Sequence, residues 1–263
     1  MKVVVIGAGR MGTWLAESLG GSHEVAVYDR IREKPGSLVK AKPISDLKAV
    51  EKIDPDLLIN AASLPETRSA FEEVLPYLGE GCLLSDIASV KQGLCEWYQN
   101  NGRRFVSTHP MFGPTYSRME NLRGESAILI RESDSEGKDF FHALYRGLGV
   151  QVFEYTFEEH DQAIGLSLCV PFACTLAFAA CIRGGAVPGG TFKRQLDVAR
   201  NLLSENHDML REILFSPHTA KQIERISGKL AYLGHIVRSR DVEEMERFLS
   251  RLKRNAEEAI RLD

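Results

Sequence analysis

Val3-Val4-Val5-Ile6 runs straight into Gly7-Ala8-Gly9-Arg10-Met11-Gly12, and that junction limits what the chain can fold into. A short run of β-branched residues reads as a strand covered on both faces. In the glycine pattern, Gly7 permits a tight turn. Gly9 lets a backbone approach a pyrophosphate with no Cβ in the way, and Gly12 lets helix and strand pack closely. The helix that opens at Arg10 and Met11 offers free N–H groups and partial positive charge to phosphates. The glycines alone are a weak signal; strand, glycines and helix in this order are a strong one. A second strand, Glu24–Tyr28, ends at Asp29, about 20 residues past the glycines, where an acid holds ribose hydroxyls and repels a 2′-phosphate. NAD is therefore expected over NADP. Arg30 tempers this, because it could stack on adenine or meet a 2′-phosphate. Ser63, at the end of a further strand on the same edge, is a candidate cofactor contact, with a plain loop as the alternative.

The first half of the chain alternates strands with helical patterns. Strands are expected at residues 3–7, 24–28, 56–60, 82–86, 104–108 and 126–130, and amphipathic helices at 11–19 and 66–78. That alternation implies an α/β domain, a Rossmann-type doubly wound parallel sheet with helices on both faces. After about Thr156 the strands stop. Residues 158–182, 192–214, 217–238 and 242–262 read as helices, with a glycine-rich break at 183–190. The expected division is a dinucleotide-binding domain over 1–155 and an all-helical substrate and dimerisation domain over 156–263.

The net charge of −3 leaves no basic footprint for nucleic acid. Five scattered cysteines without a C-x-x-C pair fit reduced thiols in the cytoplasm and argue against a metal site. Residues 164–182 carry no charge and are long enough to span a bilayer, but Gly165, Pro171 and several small polar residues favour a helix buried at a domain or subunit core.

Two more strand ends carry polar groups. Asp86-Ile87-Ala88-Ser89-Val90-Lys91 follows one, and Thr108-His109-Pro110-Met111-Phe112-Gly113-Pro114 the next. A hydroxyl, a lysine and a histidine converging beside a nicotinamide suit proton transfer coupled to hydride transfer, because histidine titrates near neutrality.

These segments, together with GAGRMG and the EEHDQ of residues 158–162, resemble the prephenate dehydrogenase family of tyrosine biosynthesis. The resemblance implies oxidation of prephenate, a cyclohexadiene with a 4-hydroxyl, a ring carboxylate and a pyruvyl side chain. Hydride passes to NAD, CO₂ leaves and 4-hydroxyphenylpyruvate forms. It implies that His109 takes the proton of the 4-hydroxyl, that Ser89 holds His109 or that hydroxyl, and that Lys91 and His160 are substrate contacts. It also implies a homodimer paired through the helical half. The sequence departs from the family at three points. Phe172 stands where a histidine is usual, and Thr115 where an acid is common. The carboxylate-clamping arginine falls out of register, leaving Arg200, with Lys193 or Arg194 as alternatives. Arogenate, with an amino acid side chain in place of pyruvyl, is the alternative substrate. An NAD-responsive binding protein without turnover is the alternative outside enzymes.

Overall fold

The computed structural model describes residues 1–31, 38–113, 122–185, 187–205 and 207–258. Pro114 and Thr115 lie outside them, as does the end of the last expected helix. Eight strands form one sheet in the order β3-β2-β1-β4-β5-β6-β7-β8. They are β1 (Lys2–Ile6), β2 (Glu24–Tyr28), β3 (Lys42–Ile44), β4 (Leu57–Asn60), β5 (Leu83–Asp86), β6 (Phe105–Pro110), β7 (Ser126–Ile130) and β8 (Gln151–Tyr155). In β1, Val3 and Val5 join one buried cluster, while Val4 and Ile6 join the other. The unbroken apolar run is thus explained by a strand with cores on both faces.

Five helices flank these strands: α1 (Arg10–Leu19), α2 (Ala49–Ile53), α3 (Thr67–Val74), α4 (Leu94–Asn101) and α5 (Ser135–Gly147). Strands β1 to β6 are mutually parallel, but β7 runs antiparallel to β6. The wholly parallel sheet expected from the sequence is therefore corrected to a mixed one. β8 then lies parallel to β7, completing the edge. Sheet order reverses direction about β1, with β2 on one side and β4 on the other, and ligands of doubly wound sheets bind outside the strand ends at such a point.

The remaining elements are helical. They are α6 (Phe157–Ile164), α7 (Val170–Cys181), α8 (Gly190–Leu203), α9 (His207–Leu214), α10 (Pro217–Ser239) and α11 (Val242–Glu258). Thr156 and Glu159 form a reciprocal capping box that fixes the start of α6. A π-turn, Gly165–Cys169, joins α6 to α7. Two sequence expectations change here. The helix expected over 192–214 is two helices, parted at Ser204 and Glu205. The apolar run 164–182 is not buried within the chain: only 22% of the most apolar stretch of Phe157–Cys181 is covered, and Thr175 is the one buried residue among the described residues of α7.

Candidate active site at the strand ends

A cavity of about 920 Å³ opens at the carboxyl ends of β1, β2, β4, β5 and β6. Gly7, Gly9, Arg10, Met11, Asp29, Arg30, Ser63, Ser89 and His109 all line it, so one concavity brings together nine of the residues singled out from the sequence. The glycine loop behaves as its chemistry requires. Gly7 has φ +96°, and a Cβ there would lie 2.6 Å from the Ala61 carbonyl oxygen. A Cβ on Gly12 would lie 1.9 Å from the Gly7 carbonyl oxygen, so Gly12 serves packing and sits behind the lining. A Cβ on Gly9 would meet nothing within 4 Å, leaving open space before the start of α1. That cradle and the first-turn N–H groups, which a helix start leaves without intrahelical partners, fit a dinucleotide pyrophosphate.

Asp29 braces the same loop. Its Oδ2 accepts from the Ala8 N–H at 2.7 Å, and its Oδ1 from the Ile31 N–H at 2.8 Å. Arg30 reaches Glu66 at 2.8 Å and Glu73 at 2.5 Å, while Ser63 Oγ donates to Glu66 Oε2 at 2.8 Å. The guanidinium that sequence reasoning offers to adenine or a 2′-phosphate is thus held between two carboxylates. Glu66 and Glu73 escape sequence reasoning because they lie 36 and 43 residues from Arg30 and meet it only in the fold.

The other end of the cavity is built on β6. His109 is 4% exposed and lies opposite Ile128 of β7. Its Nδ1 is 3.0 Å from Nε2 of His160, and Nδ1 of His160 is 2.9 Å from Oδ1 of Asp161. Burial holds His109 well below the usual histidine range, with His160 and Lys91 adding to the effect. Burial also lowers His160, against the opposing pull of Asp161. His109 is therefore a neutral base at pH 7. Its Nδ1 is committed to His160, so Nε2 is the ring nitrogen left for the cavity.

Several expected roles change. Lys91 is fully buried and turned away from the cavity: Nζ donates to Asp86 Oδ1 at 2.5 Å and to the Thr108 carbonyl oxygen at 2.7 Å. Tyr98 donates to the other Asp86 oxygen at 2.8 Å. Lys91 thus fixes the backbone just before His109 and is not a substrate contact. His160 is fully buried behind His109, not in the lining. It, rather than Ser89, holds the imidazole, leaving Ser89 as a hydroxyl in the cavity wall. Arg200 is exposed on α8 and 3.5 Å from Asp197, and Lys193 and Arg194 are exposed as well. None of the three lines the cavity. The part of the cavity facing the helices is lined instead by Leu168, Phe172, Ser204, Glu205, Met209 and Ile213. Leu168 comes from the π-turn, Ser204 and Glu205 from the break after α8. Departures from regular helix recur at functional sites, and here both deliver side chains to the cavity.

Residues 27–153 match the family model described as prephenate dehydrogenase, nucleotide-binding domain. A probable arogenate/prephenate dehydrogenase of Methanocaldococcus jannaschii is 24% identical over 260 residues, covering 91% of this chain. The chain spans 57% of that relative's length. Among solved structures, prephenate dehydrogenase from A. aeolicus in complex with hydroxyphenyl propionate and NAD⁺ superimposes with a TM-score of 0.84 at 23% identity, covering 98% of each chain. Synechocystis arogenate dehydrogenase gives 0.74 at 18%, covering 99% of this chain and 100% of the other. The likeness in fold thus extends through the helical half. Residues 27–153 are thus similar to the nucleotide-binding domain of the prephenate dehydrogenase family.

Proposed function

We propose that this chain is an NAD-dependent dehydrogenase that converts prephenate to 4-hydroxyphenylpyruvate and CO₂. The observation that carries the reading is His109: a buried, neutral imidazole at a strand end, in the same cavity as the glycine loop. Gly7, Gly9 and the start of α1 would hold the pyrophosphate, and Asp29 the adenosine ribose. NAD, when bound there, supplies the hydride acceptor. The A. aeolicus structure, with NAD⁺ and a hydroxyphenyl acid bound, supports the pairing of cofactor and ring in one site.

His109 accepts the proton of the 4-hydroxyl through Nε2 as C4 gives up its hydride. The C–CO₂ bond then breaks, and its electron pair completes the aromatic ring. Ser89, which lines the same cavity, would hold the hydroxyl. The apolar side chains Leu168, Phe172, Met209 and Ile213 exclude water from the ring. With Arg30 paired to Glu66 and Glu73 and Asp29 beside it, the adenosine end favours NAD over NADP.

A second substrate, arogenate, is favoured by one observation. Glu205 lies in the helical wall of the cavity, where a carboxylate would meet the ammonium of an amino acid side chain. Assays of NADH production with prephenate and arogenate in parallel decide between them. NAD binding with no turnover of either would return the chain to the reading of an NAD-responsive binding protein.

We further propose a homodimer through the helical half. Leu166, Val198, Leu203, Ile223, Leu230 and Val237 there are each at least 45% exposed, beside the uncovered α7. A second copy would cover both, as isologous pairing of apolar helices does. Light scattering at micromolar concentration that reads a monomer refutes it.

A further inference from the structure

We infer that Asp161 and His160 are positioning residues that fix His109 as its Nδ1–H tautomer and hold the proton it borrows from the substrate until the ring takes it back. The inference rests on the proposed oxidation.

Tautomers follow from the donors. Asp161 Oδ1 accepts from the Lys91 backbone N–H at 3.3 Å as well as from His160 Nδ1 at 2.9 Å. A carboxylate that accepts from a backbone N–H needs a donor on the ring, so His160 carries its proton on Nδ1. Its Nε2 then has the lone pair, and across 3.0 Å it accepts from His109 Nδ1–H. His109 Nε2 is left as a lone pair. The opposite polarity requires a doubly protonated His160, a cation fully buried beside Lys91, and burial disfavours that. The charged groups facing the two rings are Asp86, the last residue of β5, Lys91, from the segment between β5 and α4, and Asp161 from α6. The capping box at Thr156 sets the register of α6 that turns His160 inward.

Proton balance gives the chain of three its task. The hydroxyl proton goes to His109 as hydride leaves C4. Loss of CO₂ pushes an electron pair through the ring onto the 4-oxygen, and that oxygen takes a proton to end as a phenol. Hydride and CO₂ depart, but no net proton is released. A proton must therefore be stored close by between the two events. His109 Nε2 takes it, and the His109 Nδ1 proton shifts toward His160 Nε2, spreading the charge toward Asp161. Asp161, one-fifth exposed, is the solvated end of the chain.

The first test needs no turnover. In protein with ¹⁵N-labelled histidine, His109 and His160 should both resonate as Nδ1–H tautomers, assigned by loss of each signal in the His109→Asn and His160→Asn variants. A His109 signal of the Nε2–H form overturns the inference. The second is kinetic. His160→Asn keeps an acceptor for His109 Nδ1–H but stores no proton, so kcat should fall about tenfold with KM and the Kd of NAD unchanged. His160→Leu removes the acceptor too and should cost about 10²-fold or more. Asp161→Asn should lower the plateau and move the acid limb of the pH profile to lower pH, because the imidazole pair loses its anion. Asp161 is partly exposed, so this variant carries the kinetic test if the buried histidine variants fail to fold. Wild-type kcat and pH profile in Asp161→Asn overturn the inference. Wild-type protein idle on both prephenate and arogenate overturns the enzyme reading instead, and the tautomers still decide the polarity.

Discussion

Replacing Lys91 with methionine separates a buried structural cation from a substrate contact. The ammonium meets Asp86 at 2.5 Å and the Thr108 carbonyl at 2.7 Å, and both side chains of the ion pair are fully buried. Methionine fills similar volume but leaves Asp86, among the described residues, with the Tyr98 hydroxyl and the Ala88 N–H as donors. Breaking a buried pair by removing one partner costs about 3–5 kcal/mol, because the remaining charge is uncompensated. In a domain of this size about 1 kcal/mol moves Tm by 2–4 °C, so a fall of roughly 6–20 °C is expected. The double variant Asp86→Asn, Lys91→Met removes both charges and should recover much of that loss. Thermal and urea unfolding of the two variants measure it. If Lys91→Met keeps wild-type stability and instead raises KM for the substrate, the ammonium reaches the cavity and Lys91 is a substrate contact after all.

His109→Asn should lower kcat by about 10²–10⁴-fold, the range of a general base, with the Kd of NAD unchanged; equal loss of NAD affinity would make His109 structural. The histidines also set a pH dependence of stability. His109, His160 and His23 are all lowered from 6.5, so below that pH the unfolded chain binds protons the folded chain refuses. Stability should then be flat just above pH 6.5 and decline as pH falls from there, before the carboxylates titrate; urea midpoints constant from pH 7 to pH 5 contradict this. Replacing Glu66 and Glu73 together with glutamine frees Arg30 and should raise kcat/KM for NADP about three- to tenfold, the small scale of exposed ion pairs. An unchanged NADP/NAD ratio places Arg30 outside the adenosine site.

The cofactor half is more legible in the sequence than the helical half, for physical reasons. Gly7, Gly9, Gly12 and Asp29 are legible because each is demanded by local backbone geometry or by a fixed spacing along the chain. His109 is legible from its place at the end of a buried strand. β3 and β8 are not. Lys42-Pro43-Ile44 has neither length nor alternation, and Gln151–Tyr155 is an edge strand whose half-buried side chains blur the period. The direction of β7 depends on the path between β6 and β7, which no periodicity encodes. Lys91 misleads because a lysine in a polar loop resembles a ligand contact. Only the fold discloses that Asp86, five residues earlier, Tyr98 and the Thr108 carbonyl enclose it. His160 stands out in the sequence, but its role depends on Asp161 and His109, residues 1 and 51 positions away.

The helical wall of the cavity exposes a deeper limit. Hydrophobic periodicity describes a helix where it is regular, and it joins residues 192–214 into one amphipathic stretch. The chain instead parts at Ser204 and Glu205, and that break turns both residues into the cavity. The π-turn at Gly165–Cys169 does the same for Leu168. A π-turn inserts an extra residue into the helix, so everything after it is rotated relative to everything before. Phe172, read from its spacing to His160, therefore reaches the cavity on a face that an unbroken 3.6-residue repeat counted from His160 does not specify. The helical wall of the cavity is built at these irregular points. The cofactor site, held by strand ends and a helix start, depends on regular structure, and regular structure is what a pattern of residues predicts.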